Sequence, residues 1–155
     1  MVKNGKKWSI METKLRFIGF KIVNIEENGR IIIPSVFREN LTSKIFFIIP
    51  GREKVLHIYP EVSFLKLEEK IEKLESEEEK SIIINTIFAN SRKVVRDSVW
   101  RISIPQQLLD HANLKNEVKI VGAKDKLDFW NPDIHEEFNK KLLSEKIDLF
   151  KKVGL

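Results

Sequence analysis

The chemistry open to this chain rests first on two short segments of one design. Glu26 stands four residues before Arg30, which is followed by Ile31, Ile33 and Pro34; Asp97 stands four residues before Arg101, which is followed by Ile102, Ile104 and Pro105. In a turn between strands, an acid at that spacing can pair with its own arginine and stiffen the loop, a contribution of at most ~1 kcal/mol at a surface. It can also orient a guanidinium aimed outward, for which phosphates and guanine edges are natural acceptors. The two readings are compatible, and the sequence leaves both open.

Little else converges. His57, His111 and His135 fall in different elements and share no metal-ligand spacing; His135, Glu136 and Glu137 only begin like a helical zinc motif. The six glycines are isolated, which excludes a Gly-rich phosphate loop, and no nucleophile elbow is present. Catalytic residues, a metal, a cofactor and a small-molecule substrate are therefore not expected. The absence of cysteine removes disulfides, thiol catalysis and sulfur-bound zinc, and fits a reducing cytoplasm. The longest apolar run, residues 45–49, has a strand's length and falls far short of the ~20 residues that span a bilayer, so no membrane partner is expected.

Charge is unevenly placed. The net charge of +5 resides in residues 1–21, while the remainder sums to zero. Within that remainder residues 61–80 carry −4, and residues 92–101 carry +3 from Arg92, Lys93, Arg96 and Arg101 against Asp97. Positive charge gathered in short segments suits a polyanion partner.

The elements that must position the two arginines form an internal repeat. At an ungapped offset of 71, Val23 falls on Val94, Lys44 on Lys115, Ile49 on Ile120, Gly51 on Gly122 and Leu56 on Leu127, in addition to the Arg, Ile and Pro of the motif. Tyr59 falls on Trp130, and both are expected to be structural. Each copy reads as a leading strand (residues 17–25 or 92–96), a turn, a short strand (30–33 or 101–104), a short helix (35–40 or 106–111) and a hairpin (45–59 or 117–130). Pro34 and Pro105 suit the first helical position, and Asn113 suits a left-handed cap.

Between the copies the apolar period changes from two to 3.6. Phe64, Leu67, Ile71 and Leu74 mark one helical face. Ser76 with Glu79 forms a capping box that opens a second helix bearing Ile83, Ile84, Ile87 and Phe88. Ile134, Phe138, Leu142, Ile147 and Phe150 mark a C-terminal helix. These faces are expected to cover the protein's own sheets.

Asn28, Gly29, Arg30, the strand to Pro34, and Phe37 with Arg38 together resemble the signature of AbrB/SpoVT-type swapped-hairpin DNA-binding domains. Two copies joined by a helical pair resemble the MraZ family of bacterial transcriptional regulators. Ala112, Asn113 and Leu114, residues 118–122 and residues 127–130 match that family's second-half pattern, and the resemblance covers roughly residues 16–138. It implies an α+β, β-rich, swapped-hairpin barrel built from two repeats, with a helical linker and a C-terminal amphipathic helix. The expected boundaries are a disordered extension at 1–14, repeats at 16–62 and 91–133, a linker at 63–89 and a final helix at 134–151.

The resemblance further implies duplex DNA as partner, assembly into a ring-shaped homo-oligomer, and control of repeated boxes upstream of the regulator's own division and cell-wall operon, with a cytoplasmic, nucleoid-associated location. The implied DNA-contacting residues are Arg30, Arg101, Arg38, Asn28 and Gly29, with Glu26 and Asp97 as loop-orienting acids. Glu26 replaces the usual Asp, and Trp100 stands where the motif has Gly, which puts the geometry of the second turn in question. The competing readings are an antitoxin-like relative of the same fold, or a structural or interaction ring that binds no DNA.

Overall fold

The computed structural model describes residues 15–155, so the extension expected at 1–14 lies outside the described residues. The chain is α+β. Eight strands run β1 (Phe20–Asn24), β2 (Arg30–Ile32), β3 (Ile45–Pro50), β4 (Val55–Pro60), β5 (Arg92–Val95), β6 (Arg101–Ser103), β7 (Glu117–Gly122) and β8 (Leu127–Trp130). The helices are α1 (Glu61–Glu72), α2 (Glu77–Thr86), α3 (Gln106–His111) and α4 (Pro132–Lys146). The Ser76 hydroxyl accepts from the Glu79 N–H at 3.2 Å and opens α2, while the Asn131 side chain caps α4 ahead of Pro132.

One antiparallel sheet has the order β1-β7-β8-β4-β3-β5, and β2 pairs with β6 in a separate ribbon. The leading strand of each copy thus pairs with the third strand of a copy, β1 with β7 of the other and β5 with β3 of the other. Two pairs join a residue to its own counterpart in the other copy: Ile31 faces Ile102 in the ribbon, and His57 faces Asp128 in the sheet. A pseudo-twofold axis therefore passes through both layers. Among the described residues no sheet closes on itself, because β1 and β5 are edges; the closed barrel expected from the sequence is replaced by an open sheet covered by a ribbon.

The core lies between these layers. Alternation along each strand sends Phe46, Ile48, Leu56, Ile58, Val118, Ile120, Leu127 and Phe129 inward against Ile31, Ile33, Ile102 and Ile104 of the ribbon segments. Each such side chain contributes roughly 1.5–3 kcal/mol on full burial. On the sheet's outer face, Phe64 of α1 stacks on Phe47 at 3.8 Å, and Trp130 packs on His135 and Phe138 of α4. Trp130 is buried and Tyr59 half-buried.

Several details differ from the sequence expectation. The leading strand begins at Phe20 rather than at residue 17, because Gly19 takes φ +90 and leaves Phe17 in a single bridge to Lys124. The first short helix is one 3-10 turn, Ser35–Phe37, and Pro34 and Pro105 each occupy the position just before their helix. Asn113 does adopt the left-handed conformation, at φ 52.

The ungapped repeat fails across the third strand. The Ile25 N–H donates to Asn116 and the Arg96 N–H to Lys44, so Lys44 corresponds to Asn116 and not to Lys115. The buried positions agree, since Phe46 and Ile48 match Val118 and Ile120 at an offset of 72. The second hairpin is shorter by one residue, and the offset of 71 returns at β4 and β8. The identities of Lys44, Ile49 and Gly51 with Lys115, Ile120 and Gly122 are therefore coincidental in register.

Apolar coverage is also incomplete. Ile82 and Ile84 of α2 are exposed, as are Leu142, Leu143, Ile147, Leu149 and Phe150 beyond the docked first turns of α4.

Candidate nucleic-acid interface

Strand pairing of β2 with β6 brings residues 26–30 and 97–101 onto one ribbon, where Glu26 meets Arg101. Period-two alternation buries Ile31 and Ile102 and leaves Arg30, Ile32, Arg101 and Ser103 on the opposite face of the ribbon. The register sets Arg30 across from Ser103 and Arg101 across from Ile32. The two motif arginines therefore share one outward face because each immediately precedes a buried isoleucine.

Both turns close through the same backbone bond: the Glu26 N–H donates to the Arg30 carbonyl at 2.8 Å, and the Asp97 N–H to the Arg101 carbonyl at 3.0 Å. Gly29 and Trp100 take nearly the same left-handed φ, 71 and 69. Trp100 thus keeps the left-handed φ of the missing glycine, at a cost of roughly 1–2 kcal/mol for an L-residue in that region, although Val99 does not share the left-handed φ of Asn28. Asn28 is exposed at the tip of the first turn with φ 62, while Gly29 is buried. A Cβ on Gly29 would overlap the Ile104 carbonyl oxygen and lie 3.1 Å from Leu109, so glycine there is a packing requirement.

The side-chain ion pairing is not local, contrary to the expectation from spacing. Glu26 accepts from Nε of Arg101, in the other copy, at 2.7 Å, and both side chains are about one-third exposed. This bond, followed by the charge of Glu26, raises the Arg101 pKa further above its ordinary value. The pseudo-symmetric pair would be Asp97 with Arg30, and it does not form. The shorter Asp97 carboxylate turns back and accepts the N–H groups of Arg101 at 2.8 Å and Val99 at 3.0 Å. The Arg101 N–H, then the Val99 N–H and the charges of Arg101 and Arg30, hold this carboxyl below the usual carboxylate range. Arg30 is exposed; its Nε reaches only the Glu27 carbonyl, at 3.4 Å, and among the described residues no carboxylate pairs with it.

Arg38 is half-buried, with Nε donating to the Ile33 carbonyl at 2.8 Å. Its guanidinium lies 5.4 Å from the Trp100 ring centroid, and that of Arg96 lies 3.6 Å away. The sequence sets Arg96 in a basic segment and Trp100 at the motif's glycine position, with nothing to connect the two beyond their spacing. The available signal was an arginine four residues before an aromatic in a turn.

Elsewhere the three histidines each meet a different partner. His57 hydrogen-bonds Asp128 at 2.6 Å, His111 contacts the Gly51 carbonyl at 3.0 Å, and His135 lies against Trp130. Among the described residues no group of three or more His, Cys, Asp or Glu could hold a metal ion, and no helix is long and apolar enough to cross a membrane.

The fold and this ribbon define a two-copy α+β protein whose copies exchange strands and carry a basic turn before each ribbon strand. Sequence comparison gives the particular family. The family model described as MraZ protein matches residues 17–84 and again 87–152, and the chain belongs to the MraZ family. It is similar to proteins named transcriptional regulator MraZ from Finegoldia magna (30% identical over 126 residues, 79% of this chain and 86% of that protein) and Clostridium tetani (32% over 124 residues, 79% and 87%). The same name belongs to a relative from Dictyoglomus turgidum, 32% identical over 125 residues, 80% of this chain and 85% of that protein.

Proposed function

We propose that this protein is a DNA-binding transcriptional regulator that meets duplex DNA with the outward face of the β2–β6 ribbon. The observation that carries the reading is the placement of Arg30 and Arg101 on one solvent face, one free of acids and the other held by Glu26. With its Nε occupied, Arg101 keeps its two terminal nitrogens as a fork for a phosphate or a guanine edge, and the fixed geometry lowers the ordering cost of contact. The proposed contact set includes Arg38 and Asn28, and Gly29 serves by shaping the turn.

The exchanged pairing of β1 and β5 supports the swapped-hairpin reading, with repeats at 16–62 and 91–133, a linker at 63–89 and a closing helical segment at 134–151. The exposed apolar residues of α2 and of the chain from Leu142 onward support assembly with other copies, for which the proposed form is a closed ring. The proposed targets are repeated boxes upstream of the regulator's own operon, bound by avidity across the ring in the cytoplasm and nucleoid.

Fluorescence anisotropy with a duplex from upstream of the gene tests this. Neutralising ~4–6 phosphates gives a slope of about −4 to −5 in log K against log salt. Arg30→Ala and Arg101→Ala should each cost ~1–3 kcal/mol per base contact and leave assembly intact. Wild-type affinity in both variants would leave the two arginines only a structural, salt-bridge role; no salt-dependent binding by the wild type would leave only the interaction ring, and a monomer by light scattering at micromolar concentration would exclude assembly.

A further inference from the structure

The pseudo-twofold axis makes the two turns comparable position by position, and around Trp100 they are opposites. The three members of this cluster, Trp100, Arg96 and Arg38, have as counterparts at the offset of 71 Gly29, Ile25 and Leu109. On the first side a hydrogen-only position packs under Leu109 and the Ile104 carbonyl. On the second side the indole lies beside Arg38, whose Nε is bonded to the carbonyl of Ile33, the counterpart of Ile104. What is apolar and sealed on one side is aromatic and doubly cationic on the other.

The two guanidiniums at Trp100 have no carboxylate partner among the described residues. Arg96 uses Nη1 on the Asp97 carbonyl at 3.0 Å, and its buried Nε has no partner. Arg38 commits only its Nε, to the Ile33 carbonyl. Two like charges beside one ring repel each other, and the ring's negative face offsets part of that repulsion. A planar, weakly hydrated guanidinium with open terminal donors is suited to a phosphate oxygen.

We infer that Trp100 is a positioning residue that holds Arg96 and Arg38 as a phosphate clamp on one side only, so that each protomer grips the DNA backbone asymmetrically about its own pseudo-dyad. This rests on the DNA-binding reading above and adds to it contacts that the motif arginines do not supply.

The test measures log K against log salt for the full chain with the same upstream duplex. Trp100→Gly restores glycine at a position whose φ of 69 suits it, and Arg96→Gln removes one charge without touching the indole. Each lost phosphate contact removes about 0.9 from the slope, so Trp100→Gly should flatten it by up to about 2 and weaken binding by about tenfold to a hundredfold at about 0.1 M salt. Arg96→Gln should flatten it by about 1, and Trp100→Phe, which keeps a ring, should retain most of the wild-type slope. A purely structural indole would lower the melting temperature while leaving the slope unchanged. Wild-type slopes in both Trp100→Gly and Arg96→Gln would overturn the clamp while DNA binding stands. A wild-type protein without salt-dependent binding would overturn both readings.

Discussion

The turns at residues 26–30 and 97–101 close through the same backbone hydrogen bond and share a left-handed φ, yet their acids do different work. Glu26 reaches across the pseudo-dyad to Arg101, whereas Asp97, one methylene shorter, folds onto its own turn and leaves Arg30 without a carboxylate. The neighbouring positions diverge as well, with Gly29 sealed under Leu109 where Trp100 meets two arginines. The two copies thus share a closing bond and one left-handed residue, while a methylene and a side chain redistribute the electrostatics of the turn. Two members of a repeat can be equivalent in position and unequal in what they offer a partner.

The largest effect expected when the two copies are compared lies at the aromatic near the end of each copy's last strand. Trp130→Ala should destabilise the protein by ~3–5 kcal/mol, because the buried indole anchors α4 through His135 and Phe138. Tyr59→Ala should cost less, since that side chain is half-buried; denaturant melts giving equal losses would break the comparison. Next in size is Gly29→Ala, at ~2–4 kcal/mol from left-handed strain plus overlap with the Ile104 carbonyl. Trp100→Gly should melt within about 1 kcal/mol of wild type, since relief of strain offsets lost packing. Reversal of that order in thermal melts would show that the two turns do not pack as described.

Glu26→Ala should cost at most ~1 kcal/mol, because its ion pair is part-exposed, while loosening Arg101. Its signature is a drop in operator discrimination without a change in assembly, measured by competition with mismatched duplexes. The smallest effects are those of pH. Burial, then Lys119, lower the His135 pKa against the opposing charge of Asp128, so the fold favours the neutral ring. The unfolded chain binds that proton more readily. Stability from this site is therefore full above about pH 6.5 and declines as pH falls through the depressed native value. The lowered Asp97 carboxyl acts later: its contribution is present above about 3.8 and lost as pH falls through its native pKa. Acid titration followed by Trp fluorescence should show the His135 step first, and His135→Asn should abolish it.

Local chemistry is legible in the order of the residues. Ser76 with Glu79 predicts a helix start because a hydroxyl and an N–H three residues on must meet in the first turn, and Asn113 predicts a left-handed cap because its side chain tolerates that backbone. The alternation around Ile31 and Ile102 foretells that Arg30 and Arg101 face outward, since strand geometry leaves them no other side. The two amphipathic linker helices follow from their period in the same way, although which of their apolar residues would find cover did not.

Pairing over long separations was decided only by the tertiary structure. The spacing of Glu26 and Arg30 describes a pair that does not form, because the nearer guanidinium in space belongs to a residue 75 positions away. The exchange of β1 and β5 cannot be read from two similar segments, since either pairing would satisfy the same alternation. The slip from 71 to 72 across β3 and β7 hid behind three coincidental identities, because a one-residue shift is resolved only by which side chains the core accepts. The cluster of Arg38, Arg96 and Trp100 needed a segment from each copy to bring it together. The sequence determined the composition of each turn through bonds that close within a few residues; the packing of the two copies against each other determined which charges meet, because burial and register act on the chain as a whole.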